Sequence, residues 1–160
     1  MKSRVSFGCA GVAVVVMVFS ALMPATAAVH RTLATIASSS GAKITAIYFN
    51  SPGSDRGGNT SLNGEWVRIR NYTSTRKTLT GWTLWDKASH RYTFPRFSIA
   101  AGASVRVHTG SGTNTASNLY WRNGGYVWNN TGDTAYLRNA AGTLRDTCTY
   151  TSARDPEVFC

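Results

Sequence analysis

The chain has 160 residues, with 17 Lys and Arg against 7 Asp and Glu, which gives a formal net charge of +10. This length fits one domain and excludes an array of several, because domains commonly run to about 100–200 residues. The basic surplus favours polyanionic partners such as nucleic acid, anionic lipid or acidic wall polymers. It fits equally well a basic surface with no such partner.

Residues 1–28 have the pattern of a secretory signal peptide. Two basic residues precede an uncharged apolar run from Val5 to Met23, and small residues follow that run. We expect cleavage near Ala27 or Ala28, and therefore a secreted protein with no membrane span after cleavage. The alternative is a retained membrane anchor, since about 19 apolar residues just span a bilayer.

Residues 29–42 are small and polar, which predicts a flexible mature N-terminus. A first strand is expected at Lys43–Asn50, where β-branched and aromatic residues are frequent. The glycines, proline and short polar residues of Ser51–Asn63 predict a loop.

The stretch Gly64–Asp86 predicts two strands joined by a polar link. Apolar and polar residues alternate from Glu65 to Arg70 and again from Leu79 to Trp85, a period of two that is typical of half-buried strands. We expect these two strands to form an antiparallel pair with one buried face.

Further short strands are predicted after this pair, each bounded by turn residues. Asn123-Gly124-Gly125 has the signal of a tight hairpin between Leu119–Trp121 and Tyr126–Trp128. The other predicted strands are His90–Phe94, Ser104–Thr109, Thr134–Arg138 and Thr143–Tyr150, the last two forming a closing hairpin.

Strands this short, separated by turn signals about every 8–12 residues, predict an all-β sandwich over residues 43–160. Ile44 and Ile47 have opposite parity, so both can face the core only if a β-bulge lies between them. The expected core consists of Ile44, Ile47, Val67, Ile69, Leu79, Trp82, Leu84, Phe94, Val105, Val107, Leu137 and Leu144.

The two cysteines after the signal peptide, Cys148 and Cys160, predict a disulfide, because an exported chain meets an oxidising compartment. The bridge would close a short loop and stabilise the fold by roughly 3 kcal/mol. Two free thiols are the alternative.

Several segments resemble the lamin-tail domain, and most closely its secreted bacterial versions. They are NSPGSD at Asn50–Asp55, SLNGEWVRIRN at Ser61–Asn71, LTGWTLWD at Leu79–Asp86, HRYTFP at His90–Pro95, VRVHTGSG at Val105–Gly112 and WNNTGDTAYLRNAAGTLRDTCTY at Trp128–Tyr150. The resemblance covers about Lys43 to Cys160.

The resemblance implies an immunoglobulin-like β-sandwich, with no general enzymatic activity and no cofactor, that serves as an adaptor or binding module. Within it, Trp82 after Gly81 would be the core tryptophan. Glu65 and Trp66 would open a strand, and Asp133 would belong to a turn before the penultimate strand. These are signatures of fold and not of ligand.

The sequence contains a few groups that catalysis could use. His90 and His108, with Asp86, Asp133 or Asp146 and nearby serines, are the available groups, but neither a GxSxG nor an HExxH motif is present. We therefore expect no enzyme.

A calcium site is the better metal hypothesis. Asp55, Asn59, Asn63 and Glu65 offer oxygen ligands from one region, as hard cations require. The alternative is an ordinary loop, in which Asn and Asp stabilise turns.

Arginines at outward strand positions give the strongest functional signal. Arg68, Arg70, Arg106 and Arg138 all have that parity, which suits phosphate binding. Trp66, Tyr136 and His108 share it. The first hypothesis is a module that binds a wall polyanion or nucleic acid through a basic sheet face, unless the arginines lie on separate sheets.

The second hypothesis is a protein-interaction scaffold or a carbohydrate- or cell-wall-binding module. Trp121, Tyr126 and Trp128 would then form an aromatic hairpin tip for a secreted protein or a sugar.

Overall fold

The computed structural model describes residues 41–53, 55–151 and 155–160. The described residues form eleven strands and a single helical turn. In chain order these are β1 (Ala42–Tyr48), α1 (Asn59–Leu62), β2 (Trp66–Asn71), β3 (Lys77–Thr78), β4 (Thr83–Trp85), β5 (Arg91–Thr93), β6 (Ser98–Ile99), β7 (Ser104–His108), β8 (Asn118–Tyr120), β9 (Gly132–Arg138), β10 (Leu144–Thr151) and β11 (Glu157–Phe159).

Two larger sheets form the predicted sandwich. One has five strands in the order β11-β1-β2-β7-β8, and the other has four in the order β10-β9-β4-β5. All neighbours are antiparallel except β7 and β8, which are parallel. Strands β3 and β6 pair separately. The closing hairpin, β9 with β10, is confirmed.

The predicted core is confirmed with one exception. Trp82 is 8% exposed and packs in one cluster with residues from both sheets. Leu144 is 45% exposed, so its prediction was wrong. The pairing of β10 with β9 shifts between Leu144 and Asp146, and this irregularity breaks the alternation from which the burial was predicted.

A β-bulge in β1 allows both of its isoleucines to face the core. The pairing with β2 shifts between Ile44 and Ala46, which leaves Thr45 as the extra residue. Ile44 and Ile47 are both buried as a result.

The predicted pairing of the two strands in Gly64–Asp86 was wrong. Strand β2 lies between β1 and β7 in the five-stranded sheet, whereas β4 lies between β9 and β5 in the four-stranded sheet. The polar link therefore crosses from one layer to the other. The two runs meet through the core and not through a hydrogen-bonded ladder.

The predicted hairpin at Asn123–Gly125 was also wrong. Strand β8 pairs with β7, and residues 126–128 are not in a strand. Val127 and Trp128 are buried, and the Tyr126 hydroxyl is 2.7 Å from Ser61 Oγ. The segment folds back on the sandwich and does not present an aromatic tip.

The disulfide between Cys148 and Cys160 is confirmed, with Cα atoms 5.8 Å apart. Cys148 lies in β10 of the four-stranded sheet, and Cys160 follows β11 of the five-stranded sheet. The bridge therefore joins the two layers.

The predicted signal peptide (1–28) lies outside the described residues, and so does the predicted flexible N-terminus except for its last two residues. Strand β1 begins at Ala42, one residue earlier than predicted. Within the described ranges, no helix has the length and apolarity needed to cross a membrane.

Candidate functional site

Alternation along β2 and β7 separates core side chains from outward ones. Val67 and Ile69 are buried, and Arg68 and Arg70 point to the other side of the strand. In β7 the same alternation buries two valines and exposes Arg106. We define the basic face as the outer side of the five-stranded sheet that carries Arg68, Arg70 and Arg106.

Arg68 and Arg106 are directly opposite each other across β2 and β7. Like charges in this position destabilise a sheet, by on the order of 0.5 kcal/mol. Among the described residues neither guanidinium pairs with a carboxylate; Arg68 Nε instead donates to Thr45 Oγ1 at 3.0 Å. The fold thus keeps two adjacent positive charges without neutralising them.

Arg70 extends this charge along β2. Its partner in β1 is Lys43, whose Nζ is 3.2 Å from Asp146 Oδ1. The charge of Lys43 is therefore paired with a carboxylate. Arg70 is exposed, and its Cζ lies 5.1 Å from the centroid of the Tyr72 ring. The uncompensated charges of the face belong to the three arginines.

Aromatic rings form a row across the same face. Tyr48 stacks on Trp66 with ring centroids 5.5 Å apart, and Arg106 Cζ is 4.7 Å from the Trp66 centroid. His108 stacks on Tyr120 at 5.1 Å. The stacked neighbours fix the orientation of the arginine and of the rings.

The other two residues predicted for this face do not join it. Arg138 and Tyr136 lie in β9 of the four-stranded sheet, and Arg138 Nη1 donates to Gly142 O at 3.1 Å. The structure thus brings together three of the four predicted arginines.

Sequence reasoning missed Lys43, Tyr48 and Tyr120 on the basic face. Lys43 and Tyr48 have opposite parity and share a face only because of the bulge at Thr45. Tyr120 reaches the face because β8 runs parallel to β7, which requires a connection that period-two patterns do not reveal.

Glu65 precedes β2 and has an inward side chain that is 1% exposed. Desolvation by burial raises the pKa of this carboxyl to about 7. The backbone N–H of Val127 donates to Oε2 at 3.1 Å, and this hydrogen bond lowers the pKa by a smaller amount. The carboxyl ties the segment before β9 to the start of β2. Its predicted role at a strand entry agrees with this position.

Protein donors already engage at least one oxygen of three of the four residues proposed for calcium. Asp55 Oδ2 accepts from Asn130 Nδ2, and Asn59 Oδ1 accepts from Ser111 N. Asn63 Nδ2 donates to Ser111 O, and Asn63 Oδ1 is buried without a hydrogen-bond partner in the described part of the chain. The calcium site stays a prediction.

The groups considered for catalysis have structural partners. Asp86 is 2% exposed and lies 2.6 Å from His90 Nδ1, while its other oxygen accepts from the His90 backbone N–H. His108 contacts Asn63 O and Asn118 Oδ1. Within the described residues, neither histidine has a serine hydroxyl as a hydrogen-bond partner.

The remaining signature residues have structural positions. Gly81 has φ +75°, a conformation that favours glycine, and directly precedes the core residue Trp82. Asp133 is buried and accepts hydrogen bonds from the backbone N–H groups of Lys87 and Asn129, which ties together the turns before β5 and before β9.

Comparison with known families agrees with this architecture. The family model for the Lamin Tail Domain matches residues 35–152. No curated protein matches the chain. Since the family match spans most of the sequence and the structure is an all-β sandwich, the chain belongs to the lamin tail domain family, an immunoglobulin-like family of non-enzymatic modules.

Proposed function

We propose that the protein is a secreted, non-catalytic binding module that engages an extracellular polyanion through the basic face. The observation that carries the proposal is the direct opposition of Arg68 and Arg106, with no carboxylate paired to either in the described part of the chain. Proteins tolerate such a destabilising repulsion mainly at functional sites. A ligand with regularly spaced negative charges would remove that conflict.

Secretion is supported by the N-terminal pattern together with the disulfide. A basic start, an apolar run and small residues precede the sandwich in the sequence. Cys148 and Cys160 are bonded, and such bonds persist in oxidising compartments. An exported basic domain would meet polyanions of the wall or the medium before any cytosolic partner.

The test is a salt titration of binding to inorganic polyphosphate. The logarithm of affinity should fall linearly with the logarithm of salt concentration between about 50 and 200 mM. Arg68→Gln and Arg106→Gln should each weaken binding and reduce the slope by roughly 0.7–1.

Arg138→Gln is the matched control, because it removes the same charge from the other sheet. It should leave the slope unchanged. Equal losses from all three variants would mean that net charge and not the basic face governs binding.

The outer side of the four-stranded sheet offers a second candidate function. Trp85 and Tyr136 are directly opposite there, and Lys87 and Arg138 line the shallow groove beside them. Neighbouring aromatic rings with polar groups at the rim suit a carbohydrate. Binding to wall fragments that survives high salt and is lost in Tyr136→Ala would favour this function over the first.

A further inference from the structure

The central ring of the basic face has neither side free. Trp66 lies in β2, with Tyr48 of β1 on one side and Arg106 of β7 on the other. Tyr48 stacks at an interplanar angle of 24°, and the Arg106 guanidinium also lies over the indole. Because β1 and β7 flank β2 on opposite sides, we infer that the two groups cover opposite faces of the ring. A nucleobase therefore has no surface of Trp66 on which to stack.

The second pair of rings is closed in the same way. His108 and Tyr120 are stacked with an interplanar angle of 20°, and Asn63 and Asn118 hold the imidazole from its two nitrogens. The backbone of Gly112 abuts Tyr120 so closely that an added Cβ would lie 2.5 Å from the ring. These rings support one another and do not form an open platform.

In the centre of the face, the groups left for a ligand are the edges of the guanidinium ions. Arg68, Arg70 and Arg106 each place Cζ over an aromatic ring, at 5.8, 5.1 and 4.7 Å from the centroids. A guanidinium that lies on a ring uses its face for that contact, and its N–H groups point along its plane. Such donors suit the paired oxygens of phosphate.

We infer that the polymer bound by the basic face is a linear polyphosphate or polyphosphodiester without bases, which the face recognises by charge alone. This inference rests on the proposed function and names its ligand class. Single-stranded nucleic acid is the competing class, and proteins that bind it obtain about 1–3 kcal/mol per base from stacking. The basic face has the charges of such a protein, but its central rings are covered. Its two exposed rings, Tyr72 and Phe159, lie at the edges, each with a guanidinium over it.

The test compares three probes of equal length: inorganic polyphosphate, a thymidine oligonucleotide and an abasic oligonucleotide. Anisotropy competition at one salt concentration should give affinities for the two oligonucleotides that agree within about twofold, since bases add nothing. A preference for the thymidine oligonucleotide of about tenfold or more would overturn the inference, because that is the effect of one stacked base.

Tyr72→Ala provides the matched variant, since Tyr72 is 45% exposed and lies at the edge of the face. It should change the affinities for both oligonucleotides by the same factor. A loss confined to the thymidine oligonucleotide would reveal base stacking and overturn the inference. Failure of all three probes to bind would instead overturn the proposed function itself.

Discussion

The side chain of Glu65 is a carboxyl held inside the sandwich, and its environment makes stability depend on pH. Burial raises its pKa from 4.5 to about 7, so the folded protein keeps a proton that the unfolded chain releases. Where the folded state binds more protons, stability falls as pH rises. The loss begins near the unfolded pKa and is complete above about pH 7.

Replacing Glu65 by Gln should remove this dependence. The amide oxygen can still accept the N–H of Val127 and carries no charge to desolvate. The wild type should lose roughly 3 kcal/mol between about pH 4.5 and pH 8 from this group, at 1.36 kcal/mol per pKa unit. Unfolding by urea across that range should show a flatter profile in the variant.

Glu157→Gln is the control for this experiment, since it removes a half-buried acid from β11 at the edge of the five-stranded sheet. Its pH profile should follow that of the wild type. If Glu65→Gln keeps the wild-type slope, the burial of that carboxyl does not govern the pH dependence.

At the scale of elements, the helical turn α1 packs closely against the segment after β7, and Gly110 lies at the contact. An added Cβ on Gly110 would lie 2.6 Å from the Oδ1 atoms of both Asn59 and Asn63. It would also lie 3.0 Å from the Cβ of Leu62, whose side chain is buried. Very little space separates the two segments here.

Gly110→Ala should therefore destabilise the fold by about 1–3 kcal/mol, the usual cost of overpacking. Chemical denaturation measures the change. Gly124→Ala is the control, because no heavy atom of the described residues lies within 4 Å of the position that its methyl group would take. Equal stabilities for the two variants would show that α1 shifts to accommodate the methyl group.

Strands could be predicted from the sequence, but their partners could not. The alternation around Val67 and around Leu84 indicates a buried face in each case, and both residues are fully buried. Pairing depends on contacts distant in sequence, and nothing in either run shows that β2 and β4 belong to different sheets. For the same reason Arg68 and Arg106 were predicted to point outward, but not to be neighbours.

At the scale of the whole molecule, the disulfide adds a covalent link between two layers that also meet through apolar packing and through the contacts of Asp146 with Lys43 and Ile44. Cys148–Cys160 links β10 at one sheet edge to the residue after β11 at the edge of the other. The short loop that it closes predicts a contribution of roughly 3 kcal/mol. Its position predicts that β11 separates from β1 first when the bond is absent.

Reduction should lower the melting temperature by roughly 10 °C. The double variant Cys148→Ser/Cys160→Ser should melt at the temperature of the reduced wild type and should not respond to reductant. Hydrogen exchange should increase first at Val158 and Phe159, which pair with β1. A reduced protein that melts like the oxidised one would show that the non-covalent contacts alone hold the layers.

The opposed arginines of β2 and β7 also bear on how long the protein survives. Degradation of a folded protein often follows the small population that is unfolded at any moment. A polymer that binds only the folded state, and relieves the repulsion between Arg68 and Arg106, reduces that population by mass action. If the basic face binds such a polymer, proteases should clear the free protein faster than the bound protein, and the protein should accumulate where that polymer is abundant.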